Sequence, residues 1–211
     1  EAGRCGGCHL QHLNYRSQLY WKRRIVADAL QRLGGLAVRV LPVLGMQNPW
    51  GYRNKVRLHC DKGCLGFYRP GSHELTPFGR CPLLPPAMLD LAGQVERLLP
   101  GTAQGLKHLT LRQGWATGEL LLVLETAAGW SGGREMAQQL AGCSPHIVGI
   151  VHKPSKRKEI VLYGRDYLEE RLGNLRFHIS SNTFFQVNSA QAEVLYEQAL
   201  TYAGLQGGEQ V

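Results

Sequence analysis

The apolar positions of this chain fall into short runs whose period changes several times. Between Ser17 and Leu33, Leu19, Val26, Leu30 and Leu33 share one stripe at helical spacing, while Lys22, Arg23 and Arg24 point elsewhere and Gly34-Gly35 supplies a stop. That pattern predicts an amphipathic helix with a cationic back. The stretch WGYRNKVRLHC then alternates, with Val56, Leu58 and Cys60 on one side and Arg53, Lys55, Arg57 and His59 on the other, as in a half-buried strand. The turn Asp61-Lys62-Gly63 leads into a second strand from Cys64 to Arg69, Leu65 and Phe67 inward, closed by Pro70-Gly71-Ser72. A β-hairpin with one cationic face is expected.

Later segments predict a helix from Pro85 to Leu99 with Leu91, Val95 and Leu98 inward, then strands Leu106 to Arg112 and Leu120 to Glu125 around the Gly114 to Gly118 turn. A short helix over Gly133 to Ala141 follows, then a hairpin of His146 to Val151 and Ile160 to Tyr163 across PSKRK, and a strand marked by Leu175, Phe177 and Ile179. Ala192, Leu195, Ala199 and Tyr202 stripe a final helix. Strands dominate the middle and are joined mostly by turns, so the expected fold class is α+β, an antiparallel sheet with flanking helices. The closing LQGGEQV reads as a turn and the first residue of a further strand, as if the chain ended within a fold.

Charge adds direction to this outline. The net charge of +8 is uneven, with 13 Lys and Arg against 4 Asp and Glu up to residue 80, and 11 against 12 beyond it. A basic N-terminal part suits a polyanionic partner, because neutralising phosphates releases condensed counterions. The cationic side chains along the first hairpin, with Tyr52 and Tyr68 nearby for stacking, resemble surfaces that track an RNA backbone; a solvated or edge-protecting face is the plain alternative. No apolar window long enough to span a bilayer and no secretion signal is visible, so a soluble, cytoplasmic protein is expected.

The six cysteines (Cys5, Cys8, Cys60, Cys64, Cys81, Cys143) narrow the chemistry. Cys5 and Cys8 have the C-x-x-C spacing that lets two thiolates share one centre, which suits zinc, an iron–sulfur cluster or a dithiol pair. Cys81 precedes a proline, as terminal cluster ligands often do. Cys60 and Cys64 read first as packing residues and second as spare ligands, and Cys143 as a small core residue. His9 and His12 sit beside the loop as hydrogen-bonding groups rather than ligands.

Together CGGCHLQHL, PWGYRNKVRLH, GFYRPGSHELTPFGRCPLL, LYGRDYLEERLGNLRFHISSNTFFQVN and the closing helix with GGEQV resemble the bacterial 23S rRNA (uracil-5-)-methyltransferases and their tRNA relatives. The resemblance implies a [4Fe–4S] cluster on Cys5, Cys8 and Cys81, its fourth thiolate expected two positions before Glu1. It also implies that Gln186 contacts S-adenosylmethionine and that Phe184 lies near a flipped target uracil; on residue type alone, Phe184 and Val187 read as core and Gln186 as an ordinary polar group. In the family a cysteine thiolate adds to carbon six of uracil, carbon five takes the methyl, and a base removes the carbon-five proton, once the base has left its stack. Those catalytic residues match nothing here, so no catalytic residue is expected in this chain.

The expected organisation is a central RNA-recognition domain over residues 1–182, whose helix 14–34 packs against the catalytic domain, and the start of a Rossmann-like methyltransferase domain from 183 to 211. The chain is read as the substrate-recognition portion of the enzyme, inactive by itself. The expected partner is 23S rRNA, with tRNA less favoured, and no protein partner is implied, so a monomer is expected. Arg53, Lys55, Arg57, His59 and Phe184 are the expected RNA contacts. The rival reading is a non-catalytic RNA-binding module stabilised by zinc on Cys5, Cys8 and two of Cys60, Cys64 and Cys81.

Overall fold

A computed structural model describes residues 3–79, 81–102, 105–127, 130 and 132–209. The elements run α1 (Tyr15–Arg32), β1 (Lys55–Asp61), β2 (Cys64–Tyr68), β3 (Leu75–Pro77), α2 (Pro86–Thr102), β4 (Leu106–Gln113), β5 (Leu120–Thr126), α3 (Gly133–Ala141), β6 (Ile147–Pro154), β7 (Ile160–Gly164), β8 (Tyr167–Leu172), β9 (Leu175–Ser180) and α4 (Ser189–Ala203). Seven strands form one sheet in the order β3-β2-β1-β4-β5-β6-β7, and β8 pairs with β9 separately. The α+β class holds. One pairing differs from expectation: β5 and β6 run parallel, because α3 crosses over between them where a turn would have kept them antiparallel.

By internal packing the chain divides into two compact units, residues 1–49 with 67–76, and residues 50–66 with 77–211. In the first unit, Asn14 caps α1 by accepting from the Ser17 amide at 2.9 Å. The Leu33 and Gly34 amides both return to the Ala29 carbonyl, and Gly35 turns out at φ +65°. The segment after the helix lies back along it, held by Arg23 Nε on the Val40 carbonyl and the Met46 amide on the Tyr15 hydroxyl. The predicted apolar stripe does not make a core, since α1 buries no residue and Val26 and Leu33 are exposed.

In the second unit, the β1–β2 hairpin closes through Lys62 and Gly63, at φ 48° and 81°, with Asp61 opposite Cys64. Both central residues are left-handed, the conformation whose twist matches the strands in a two-residue turn. One sheet face buries Val56, Leu58, Leu109, Leu111, Leu122, Leu124 and Ile150 with Met88, Leu91 and Val95 of α2 and Met136 and Leu140 of α3. Leu99 rather than Leu98 completes the buried stripe of α2. On the opposite face Leu121, Val123 and Val151 pack with Leu168 and Ile179 of the β8–β9 hairpin, joined by Val148, Phe177 and Phe185. The sequence pattern missed β8 because its buried positions, Leu168, Glu170 and Leu172, include a carboxylate.

The last helix also departs from its pattern. Ala192 is buried, but Leu195 and Tyr202 of the expected inward stripe are exposed. Gln210 and Val211, on which the expected further strand depends, lie outside the described residues, and 204–209 contain no strand. Cys143 is exposed rather than core, its sulfur donating to the Gln139 carbonyl at 3.3 Å.

Candidate functional site

Two features of the second unit share the sheet face that β8 and β9 leave partly open. The first is the cationic row. Alternation along β1 places Lys55, Arg57 and His59 on this face, and the cross-strand register sets His59 opposite His108, His108 opposite Glu125, and Glu125 opposite Lys153. Arg57 is engaged: Nε and Nη2 donate to the two Glu125 oxygens at 3.1 and 2.7 Å, and Nη2 lies 3.0 Å from His108 Nδ1. The His59 and His108 rings meet edge-on, 4.8 Å between centroids. Sequence reasoning found Arg53, Lys55, Arg57 and His59 on β1 and just before it. It missed His108, Glu125 and Lys153, because only the strand register brings β4, β5 and β6 beside β1.

The electrostatics follow from this crowding. Burial, then the neighbouring Arg112 and Arg57 charges, lowers the Lys55 ammonium from its ordinary value. Burial and then Arg57 lower His59; burial and then Arg57 also lower His108, against the opposing pull of Glu125. Burial pushes Glu125 up, but the hydrogen bond and charge of Arg57, with His108 and Lys153, outweigh it and the net direction is down. Both rings are thereby biased toward their neutral forms, and a bound polyanion opposes that bias by favouring their charged forms. Binding of a polyanion to this face at constant ionic strength is therefore expected to take up protons and to strengthen as pH falls from about 7 to about 5.5, the range over which imidazoles charge. Replacing His59 and His108 by glutamine removes that slope, and titrations at several pH values measure it.

The second feature is the 183–189 segment. Phe184, Phe185 and Gln186 line a cavity of about 240 Å³ together with Phe177, His178 and Tyr196. Phe184 is 82% exposed and Val187 38%, so neither is a core residue. Arg112, buried in β4, donates from Nη2 to the Thr183 carbonyl at 2.5 Å and reaches the Ser181 carbonyl at 3.4 Å. Asn54 donates its backbone N–H to the Val187 carbonyl and its Nδ2 to the Gln186 carbonyl, both at 2.9 Å. Gln186 thus sits in a turn fixed by Asn54, just before β1, and by Arg112 of β4.

The cysteines are distributed between the units. In the first, Gly6 donates to the Tyr68 carbonyl at 3.0 Å, and a Cβ on Gly6 would lie 2.4 Å from that oxygen, so the CGGC loop needs glycine there. The Gly7 amide points to Cys5 Sγ at 3.4 Å. In the second, the Cys81 segment is clasped by the Gly51 and Arg53 amides on the Pro82 and Leu83 carbonyls. None of the six cysteines is in a disulfide. Among the described residues no group of three or more His, Cys, Asp or Glu gathers to hold a metal ion.

A mostly antiparallel sheet with one cationic face, carrying at its margin a fixed glutamine turn beside an aromatic-lined cavity, suits a protein that binds a polyanion and a small cofactor. Comparison with known proteins gives the class. The chain is 38% identical to an uncharacterized RNA methyltransferase of Bacillus cereus over 98% of its own length and 50% of that protein. It is 36% identical to one of Clostridium tetani over 99% of its length and 50% of that protein. The solved structure of Pyrococcus abyssi tRNA (uracil-54, C5)-methyltransferase in complex with S-adenosyl-L-homocysteine matches with a TM-score of 0.72 and 26% identity, over 95% of this chain and 52% of that one. No protein-family model matches. The chain is similar along nearly its whole length to part of these RNA methyltransferases. It spans about half the length of the curated relatives it matches. No helix among the described residues is long and apolar enough to cross a membrane.

Proposed function

We propose that this chain is the RNA-recognition part of an S-adenosylmethionine-dependent methyltransferase acting on carbon five of a uridine in 23S rRNA, with tRNA as the less favoured substrate, in the cytoplasm. The observation that carries the reading is the cationic row of β1, in a chain that matches RNA methyltransferases along 98% of its length. Lys55 and Arg53 meet backbone phosphates, and neither makes a side-chain hydrogen bond or ion pair among the described residues. Arg57, His59 and His108 follow once phosphate competes with Glu125 for Arg57. Phe184, with its ring almost fully exposed, offers a stacking face for a base drawn out of its stack. Gln186 holds the cofactor, which supplies the methyl group when bound. The catalytic cysteine and base belong to another part of the enzyme, and these 211 residues alone bind RNA without methylating it.

Residues 183–211 are read as the start of the methyltransferase domain, and the exposed apolar side chains of α1, Trp21, Ile25 and Val26 among them, as the face it packs against. A [4Fe–4S] cluster on Cys5, Cys8 and Cys81 remains part of the proposal. Its support is the sequence pattern and the glycine loop that directs the Gly7 amide at Cys5 Sγ. Anaerobic purification of the full-length protein checks it, iron and sulfide in about fourfold amount being expected for this cluster type; about one zinc and no colour supports the zinc module instead.

RNA titrations across a salt series test the recognition half. The logarithm of affinity is expected to fall linearly with the logarithm of salt, and Lys55→Ala to reduce the slope by about 0.7, the value for one phosphate contact on a single strand. An affinity indifferent to salt overturns the assignment of this face.

A further inference from the structure

Four segments far apart in sequence meet at a buried polar frame that the RNA-binding and cofactor-binding assignments do not require. Asn54, Ser189 and Glu170 are 6%, 1% and 0% exposed. Asn54 Nδ2 donates to the Gln186 carbonyl at 2.9 Å and to Ser189 Oγ at 2.8 Å. Ser189 Oγ donates in turn to Glu170 Oε2 at 2.8 Å. Glu170 also accepts the amides of Trp115 at 2.7 Å, Ala116 at 3.0 Å and Arg171 at 2.9 Å. The Asn54 backbone completes the frame, its N–H on the Val187 carbonyl and its carbonyl accepting the Gln113 amide, each at 2.9 Å.

The chemistry of this frame is directional. A primary amide has two hydrogens, and Asn54 spends both on the 186–189 turn, so the position of that turn is set by the residue immediately before the strand that carries Lys55, Arg57 and His59. Ser189 both accepts from Asn54 and donates to Glu170, which orders its hydroxyl in one sense. Glu170 is anchored to the β4–β5 turn by two amides, so the far end of the frame is backbone and does not drift. Ser189 opens α4, where a carboxylate is also favoured by the positive end of the helix dipole.

We propose that Asn54 is a positioning residue for the cofactor, acting through the Gln186 carbonyl, with Ser189 and Glu170 holding Asn54 in its donating rotamer. This rests on Gln186 being a cofactor contact. Asn54, three positions ahead of Arg57 and immediately before the RNA-binding strand, thereby fixes the turn that meets S-adenosylmethionine, and the two binding surfaces share one rigid element.

The test uses the full-length enzyme. Binding of S-adenosylhomocysteine is measured by calorimetry for Asn54→Ala, Ser189→Ala and Gln186→Ala, together with hydrogen exchange of the 184–188 amides in cofactor-free protein. Asn54→Ala is expected to weaken binding about tenfold, the loss of a buried amide's hydrogen bonds, and to speed exchange at 184–188. Ser189→Ala leaves the bond to the Gln186 carbonyl and is expected to weaken binding about threefold. The double variant is expected to be no weaker than Asn54→Ala, because the two residues act as one unit. RNA binding without cofactor, and KM for RNA, stay at wild-type values, which a general loss of folding would not allow. If Gln186→Ala weakens binding while Asn54→Ala and Ser189→Ala do not, the positioning role is overturned and the cofactor assignment stands. If Gln186→Ala has no effect, the cofactor assignment itself fails. Should Asn54→Ala not fold, Ser189→Ala decides: wild-type affinity with wild-type exchange overturns the proposal.

Discussion

Gly149→Val is expected to lower stability by about 3 kcal/mol or more, at the upper end of what overpacking costs. A Cβ at this position would lie 1.8 Å from the Arg165 carbonyl oxygen and 2.8 Å from Leu121 Cδ1. The first of these is backbone and does not swing aside. Gly149 pairs with Gly164, whose own Cβ would stand 2.1 Å from the Val148 carbonyl, so the two chains touch glycine to glycine where β7 bends away at φ +60°. Separating them breaks the bond from the Arg165 amide to the Val148 carbonyl and shifts Val148 and Val151 against Leu168 and Ile179. Chemical denaturation measures the loss. Gly173→Ala serves as a control with open space around its Cβ but a φ of +54°, and only the left-handed penalty of about 1 kcal/mol is expected.

Glu170→Ala is expected to cost about 4 kcal/mol or more. It leaves the Trp115, Ala116 and Arg171 amides and the Ser189 hydroxyl without their acceptor, each buried donor losing about 1–3 kcal/mol. The Glu170 side chain is fully buried, so its carboxylate oxygens depend on these donors rather than on bulk water. Glu170→Gln is a sharper probe of the same frame, because it sets an N–H against two backbone N–H groups while preserving shape. A denaturation midpoint that moves little in either variant means that the frame opens easily, and the fixed position of the 186–189 turn is then lost as an argument.

Much of the architecture was legible in the sequence wherever one face of a strand is apolar and the other charged. The β1–β2 hairpin, α2, β4, β5 and α3 all lie close to the segments that periodicity marks. Legibility failed where burial does not follow residue type. Glu170 is buried because four donors surround it, which no local pattern announces, and β8 went unseen with it. Leu195, Tyr202 and the apolar positions of α1 failed in the opposite sense, apolar yet exposed. The candidate site divides likewise. The cations of β1 are local and were found; their neighbours His108, Glu125 and Lys153 arrive from strands 50 to 100 positions away and needed the register. Asn54, a single polar residue before a strand, gives no sign in sequence that it holds Gln186 from 132 positions away.

The pairing of Arg57 with Glu125 has a bearing on selectivity. Arg57 already holds the Glu125 carboxylate, so under the proposed function an incoming phosphate must evict an internal rival. A loosely apposed polyanion making one or two contacts gains little from that exchange, whereas a folded strand that also meets Lys55, Arg53 and the neighbouring rings recovers the loss several times over. A built-in competitor of this kind gives up some affinity in return for discrimination.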